Sequence, residues 1–188
     1  MAPKELLSLD DDQLIRLTLD GNSQAFGEII RRYERVVART VKGMIGNVQQ
    51  AEDVGQETFI RLYNALPEFR GEAKLGTYIQ RIAINLSLNE IKKDGRFSVF
   101  SLSGKKSDET AAIELQSGDS EKSADIKEIV RHAIDKLNPE FRAVVTLRMI
   151  QGYSSKETAE LLEMPLGTVL SRLSRAKEQL REILDKLI

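Results

Sequence analysis

The sequence predicts an all-α protein: two small helical bundles joined by a flexible linker, the C-terminal bundle containing a helix-turn-helix. Three observations carry that prediction. Apolar residues recur at three- and four-residue spacing on both sides of a central gap, the signature of helices that each bury one face. No stretch shows the two-residue alternation of a half-buried strand. Between the helical halves, residues 97–125 are dominated by Ser, Gly, Lys, Asp and Glu with no persistent period, a composition that buries too little apolar surface to offset its ordering entropy.

The elements follow in order. Asp11 or Asp12 can cap a short first helix that ends at Gly21. Asn22-Ser23 restarts a long helix whose Phe26, Ile29, Ile30, Tyr33, Val36, Val37, Val41 and Met44 line one side, and Gly46-Asn47 breaks it. A third helix runs from about Gln49 to Leu66, where Pro67 removes the next backbone donor. After a loop holding Phe69, Arg70 and Gly71, a fourth covers about Thr77 to Lys93, with Ile79, Ile82, Ala83 and Leu86 facing inward. Beyond the linker, Ile126, Ile129, Val130, Ala133, Ile134 and Leu137 form a new stripe. Asn138-Pro139 then reads as a cap with Pro at the first helical position, and Phe141, Val144, Val145 and Met149 continue the pattern. The predicted domains are therefore 1–96, 97–125 as linker, and 126–188.

Residues 154–177 are the most informative. Ser154 and Glu157 have the spacing of a capping box, in which the hydroxyl accepts from one backbone N–H and the carboxylate from the other. The short helix they start holds Ala159, Leu161 and Leu162 and is stopped by Met164-Pro165. The helix after it carries Val169, Leu173, Ala176 and Leu180 as an inward stripe, with Thr168, Ser171, Arg172, Arg175 and Lys177 on other faces. From Leu166 to Arg181, Arg172, Arg175, Lys177 and Arg181 oppose Glu178 alone. An amphipathic helix with a few arginines can be only the solvated face of a bundle. A capped helix, a four-residue turn and a basic helix in one run instead describe a DNA-reading helix-turn-helix.

Composition narrows the remaining classes. At 188 residues, with 41% hydrophobic and 30% charged residues, the chain can hold real cores. It has no apolar run long enough to span a bilayer and no signal-peptide layout, so no membrane insertion and a cytoplasmic location are expected. The absence of cysteine excludes disulfides and thiolate metal sites, and the single His132 has no second His to build a zinc or nucleophile site, so no metal and no cofactor are expected. Net charge is −1 overall, distributed as −2 over residues 1–77, +2 over 78–96, −3 over 97–126 and +2 over 127–188. Two basic segments flanking an acidic one suit a protein that touches nucleic acid at two separated places and leaves tight binding to a larger partner.

Several segments in the right order resemble the extracytoplasmic-function, or group-four, sigma factors of the sigma-70 family. In the N-terminal half these are Ala25-Phe26, residues 51–63 (AEDVGQETFIRLY), Phe69-Arg70-Gly71 and residues 77–85 (TYIQRIAIN). In the C-terminal half they are Leu137-Asn138-Pro139, Gly152-Tyr153-Ser154, Gly167-Thr168-Val169, Ser171-Arg172-Leu173 and Arg175-Ala176. The likeness covers all but the first residues and the linker. It implies a non-enzymatic promoter-specificity subunit that binds bacterial core RNA polymerase, recognises the minus-ten and minus-thirty-five elements of promoter DNA and promotes DNA opening. It also implies an anti-sigma factor as a partner.

By that resemblance Asp53, Gln56, Glu57 and Arg61, a polar stripe at spacings of three and four, dock on the polymerase. Phe69, Tyr78, Arg81 and Asn85 capture the melted minus-ten element, with Lys92, Lys93 and Arg96 as further cations. Phe69 could equally plug a core, and Asn85 could bond within its helix. Arg148, Ser171, Ser174 and Arg175 approach the minus-thirty-five element, with Thr168, Arg172 and Lys177 on the same helix, although Arg172 could pack or hold phosphate instead. The family usually has Trp where Tyr78 stands and often a basic residue where Leu170 stands. The acidic linker suits either mimicry of nucleic acid or simple solubility.

Two other classes compete. A stand-alone helix-turn-helix repressor or activator would bind a palindromic operator as a dimer. The DNA-binding part of a recombinase or nuclease would need a nucleophile or carboxylate cluster, and Asp10, Asp11 and Asp12, the only acidic run, read as helix-capping charge.

Overall fold

The computed structural model describes residues 6–93 and 119–186. Among the described residues there is no strand, and the helices are α1 (Asp11–Leu19), α2 (Ser23–Ile45), α3 (Val48–Ala65), α4 (Leu75–Lys93), α5 (Asp119–Asp135), α6 (Pro139–Val145), α7 (Ser155–Leu161) and α8 (Leu166–Leu184). The all-α prediction is correct. The chain divides into two compact units, Met1–Gly43 with Asn47–Ser87 and Met44–Gly46 with Leu88–Ile188. Arg96 and linker residues 97–118 lie outside the described residues, but 119–125, also assigned to the linker, have helical backbone in α5. The sequence rationalises that earlier start: after Gly118 no Gly or Pro interrupts, and Asp119-Ser120-Glu121 suits a helix N-terminus.

In the first unit, α1 is capped by Asp10, not by Asp11 or Asp12. The Asp10 carboxylate accepts from the Gln13 N–H at 2.8 Å, and the Gln13 side chain accepts from the Asp10 N–H at 3.0 Å. Asp10 wins because Gln stands three positions later to complete the box. Asp11 is thereby free to accept the Tyr33 hydroxyl at 2.5 Å and the Arg32 guanidinium at 3.2 Å. Arg32 also donates to the carbonyls of Leu6, Leu7 and Leu9, the last at 2.8 Å, which ties the segment before α1 to α2. Glu28, 7% exposed, accepts from Arg31 at 2.7 Å and Arg32 at 2.9 Å. Those hydrogen bonds, the Arg31 one foremost, outweigh desolvation and hold its carboxyl down at about 2.

The core of this unit contains fully buried Leu14, Ile29, Val37, Val41, Leu62, Leu66 and Ile79. The predicted stripes of α2 and α4 are broadly present, but α4 is covered on more sides than one stripe requires. Ile84 and Gln80 are buried as well, and the Gln80 side chain accepts the Thr40 hydroxyl of α2 at 2.6 Å. Gly76, in the first turn of α4, lies so close to Tyr33 that a Cβ there would stand 2.9 Å from the ring. Glycine thus lets the ring pack directly on α4.

In the second unit α6 is the centre, five of its seven residues being buried. Asn138 caps it through its side chain, with Pro139 at the first position as predicted. Val145 packs with Ile134, Leu137 and Ala176, joined by Phe141, Leu180 and Ile183, while adjacent Val144 packs with Ala159 and Val169, joined by Leu162, Met164 and Leu173. Two predicted core positions of α5 and one beyond α6 are instead exposed: Ile126 at 58%, Val130 at 41% and Met149 at 54%. For Met149 the reason is local. Residues Thr146–Ile150 wind as a π-helical turn, with Gln151 N–H donating to the Thr146 carbonyl at 2.9 Å, and the wider turn swings Met149 out of the α-helical phase.

The turn between α7 and α8 closes when the Met164 N–H donates to the Ala159 carbonyl at 3.0 Å. Glu163 there has φ +50, a left-handed conformation that costs a non-glycine residue roughly 1–2 kcal/mol.

Two stability predictions follow from these contacts. The depressed Glu28 carboxyl binds its proton less tightly folded than unfolded, so its contribution is complete above about pH 4.5 and disappears as pH falls toward 2. Glu28→Gln should lower stability at pH 7 by about 1 kcal/mol, a value reduced for screening because Arg31 remains open to solvent, and should flatten the acid limb of a urea-midpoint-against-pH curve. Second, Glu163→Val should destabilise by roughly 1–2 kcal/mol, while Glu163→Gly is tolerated, measured by chemical denaturation.

Candidate functional site

The helix-turn-helix is built from α7, the turn Leu162–Pro165, and α8. Its capping box has the predicted form: the Ser154 hydroxyl accepts from the Glu157 N–H at 3.1 Å, and the Glu157 carboxylate accepts from the Ser154 N–H at 2.7 Å. Hydrogen bonding from Ser154, side chain first, lowers the Glu157 pKa, and Arg148 adds a smaller attraction. Ala159 and Leu161 are buried beneath α7. On α8, Val169 and Ala176 are fully buried, with Leu173 and Leu180 partly so, which orients the opposite side outward.

Ser171, Ser174, Arg175 and Lys177 are exposed on that helix. Thr168 is half-buried, and its carbonyl accepts the Ser171 hydroxyl at 3.0 Å. Arg172 behaves differently. Its guanidinium meets the Glu140 carboxylate of α6 at 2.6 Å and reaches Met164 Sδ at 3.6 Å, so it braces α8 against the bundle. Arg148, half-buried in the π turn, donates to the Tyr153 carbonyl and so steadies the approach to α7. In this conformation Arg148 and Arg172 are bound within the protein, while Arg175 extends into solvent. With Arg175, Lys177 and Arg181 exposed against Glu178 and Glu182, α8 can offer guanidinium and hydroxyl donors to base edges and phosphates.

In the first unit, Phe69 terminates the 3-10 turn Leu66–Glu68 and Tyr78 begins the exposed side of α4. Their rings meet at 5.0 Å between centroids with a 45° tilt. Both rings are half-buried, so Phe69 is neither a sealed core plug nor free in solvent. Arg81 and Asn85 follow Tyr78 at three and seven residues, which places all three on one face of α4. Asn85 is exposed and Arg81 half-buried. Past Ser87, where that unit ends, Lys92 and Lys93 are exposed in the last turn of α4, Lys93 lying 3.5 Å from Glu90.

The polar stripe of α3 is also formed, with Asp53, Gln56 and Arg61 exposed and Glu57 half-buried, the Glu57–Arg61 ion pair spanning 2.8 Å. Sequence reasoning missed Ile60, 56% exposed in the middle of this stripe, and Tyr63, 50% exposed and edge-on to Phe26 at 5.0 Å. The i, i+3, i+4 positions from Gln56 and Glu57 would have shown that Ile60 shares their face. The surface is therefore mixed, with apolar contact area inside a polar rim, as docking surfaces are.

Among the described residues, no His, Asp and Glu side chains group to hold a metal ion, and no helix is long and apolar enough to cross a membrane.

Comparison with known proteins matches both halves. The family model Sigma-70 region 2 matches residues 29–97, and Sigma-70, region 4 matches residues 127–180. The chain is 32% identical over 190 residues to the RNA polymerase sigma-H factor of Pseudomonas aeruginosa, covering 95% of each. It is likewise 32% identical over 190 residues to the ECF RNA polymerase sigma-E factor of Escherichia coli, covering 96% of this chain and 97% of that one. Its fold is similar to CnrH in complex with the cytosolic domain of CnrY, with TM-score 0.64 and 24% identity over 94% of this chain and 97% of that one. It is also similar to the sigma factor RpoE in complex with the anti-sigma factor NepR from Bartonella quintana, with TM-score 0.59 and 21% identity over 85% and 96%. Two family matches in order, full-length relatives, an anchored helix-turn-helix and an all-α fold lead to one assignment: the chain belongs to the extracytoplasmic-function group of the sigma-70 family, the promoter-specificity subunits of RNA polymerase.

Proposed function

We propose that this chain directs bacterial core RNA polymerase to promoters by reading two DNA elements with two tethered domains, 1–96 and 126–188, and by helping to open the duplex. The carrying observation is α8: Val169 and Ala176 bury one side, and Arg172 pins the helix to Glu140, so Ser171, Ser174 and Arg175 project as a fixed set of donors. That set reads the minus-thirty-five element in the major groove. Thr168 and Lys177 flank it, and Arg148 and Arg172 act chiefly by holding the helix-turn-helix in shape.

At the minus-ten element, the Phe69–Tyr78 pair supplies a half-exposed aromatic surface for an unstacked base, and Asn85 supplies an amide able to read that base's edge. Arg81, Lys92, Lys93 and Arg96 balance backbone charge. Asp53, Gln56, Glu57 and Arg61, with Ile60 among them, dock α3 on the polymerase. Catalysis belongs to the polymerase, and the chain acts in the cytoplasm without a cofactor. An anti-sigma protein is the natural antagonist of such exposed docking faces, and the RpoE neighbour in complex with one supports that partner.

Weak net charge fits this division of labour. At −1 overall, the protein gains little from counterion release alone, and two modest contacts carried on one large assembly reinforce each other as effective concentration.

The test is reconstituted transcription with core polymerase on a randomised promoter library. Arg175→Ala should relax preference at one base pair of the upstream element by about 1–3 kcal/mol, roughly 5- to 150-fold. Asn85→Ala should leave the upstream element unchanged and relax the downstream one. Unchanged promoter choice in both variants overturns the two residue assignments.

A further inference from the structure

We propose that Leu170 is a specificity-determining residue of the upstream contact, packing against the 5-methyl group of a thymine in the major groove. The inference rests on the proposal that α8 reads DNA, and it names an apolar contact that the charged side chains of α8 do not supply and that Thr168 could offer only through a single half-buried methyl.

Leu170 is 50% exposed although α8 has a complete apolar stripe elsewhere, in Val169, Leu173, Ala176 and Leu180. It belongs to neither of the two apolar clusters of the bundle. Leu166, one turn earlier, is 38% exposed, and helical spacing puts Leu166, Leu170, Ser174 and Lys177 along one flank. Leu170 lies in the N-terminal half of the second helix, the part that meets base edges when such a helix enters the major groove. Its neighbours on the exposed side are Leu166, Gly167, Ser171 and Ser174, and the first acidic residue of α8 is Glu178. An apolar pair, Leu166 and Leu170, bordered by Gly167, Ser171 and Ser174 and with Arg175 and Lys177 further along the helix, is complementary to a surface that is anionic at its rim and carries an apolar point inside.

The major groove offers such a point in thymine. Of the four bases only thymine presents a methyl group there, and apolar side chains select it by excluding water from it. Leucine has no donor for a guanine edge or a phosphate oxygen. Burying its exposed half against a methyl group is the favourable outcome, and a C·G pair at that position offers an amino group that Leu170 would leave unsatisfied. Gly167, with nothing within 4 Å of where a Cβ would stand, keeps the neighbouring surface low enough for the groove floor to approach.

The experiment uses the full chain with core polymerase and a promoter selected by the wild type from a library. Each thymidine of the upstream element, on both strands, is replaced in turn by deoxyuridine, which removes the methyl group and keeps the base pair. At one position the replacement should lower wild-type transcript output about fourfold, the value of one buried methyl-sized group. Leu170→Ala should lose that sensitivity at the same position, and Leu170→Met should keep part of it. Circular dichroism confirms that the exposed-site variants are folded. Arg175→Ala run in parallel separates the two levels of the argument. If it alters base preference while no deoxyuridine affects the wild type, or while Leu170→Ala remains as sensitive as wild type, DNA reading by α8 stands and the role of Leu170 is overturned. If neither Arg175→Ala nor Leu170→Ala changes base preference, the DNA reading of α8 fails and this inference with it.

Discussion

The C-terminal unit depends on the packing of one short buried helix. Val144 and Val145 are neighbours on α6 and enter two different apolar clusters, one shared with Val169 and the other with Ala176 of α8. Two anchor points seven residues apart on α8 fix both its axis and its rotation. The side that remains free is then determined, and it carries Ser171, Ser174, Arg175 and Leu170. A guanidinium aimed at a base edge gives discrimination only if its helix is held rigidly, because looseness of an ångström spreads the contact over several partners. Arg172 serves that rigidity: its 2.6 Å contact with Glu140 spends one cation on position, while Arg175 stays exposed, as the proposed base contact requires.

The N-terminal unit solves a related problem with polar groups. Arg32 gathers the carbonyls of Leu6, Leu7 and Leu9 and the Asp11 carboxylate, while Glu28 balances it from the previous turn of α2. Tyr33 meets Asp11 at one end and packs on the Gly76 backbone along its ring, so α1, α2 and α4 are joined through one aromatic side chain. The Thr40–Gln80 hydrogen bond adds a second buried link between α2 and α4. These contacts hold the α4 face bearing Tyr78, Arg81 and Asn85 in a set orientation, as the proposed capture of an unstacked base requires.

How far this was legible follows from the range of each interaction. The Ser154–Glu157 box and the Asn138-Pro139 cap were readable because both partners lie within three residues and backbone geometry supplies the rest. The cap of α1 was put at Asp11 or Asp12, one or two positions late, because three successive aspartates look alike until Gln13 is recognised as the reciprocal partner of Asp10. Periodicity found Ile129, Ala133, Ile134 and Leu137 but also admitted Ile126 and Val130, since helical phase alone does not say how wide a neighbour's cover will be. Met149 failed because a π turn changes the phase midway. On α8, Ser171, Arg175 and Lys177, expected off the inward stripe, are exposed. The pairing of Arg172 with Glu140 was hidden because it depends on how α6 and α8 come together, which no local pattern records.

The account holds that the two bundles grip DNA usefully only when carried by the polymerase. Footprinting of a cognate promoter with the purified chain, with core polymerase, and with both measures this directly. The account predicts no specific protection from either component alone, and two protected regions at the upstream and downstream elements from the combination. Tight, dimeric protection of a palindromic site by the chain alone, unchanged when core polymerase is added, would contradict it.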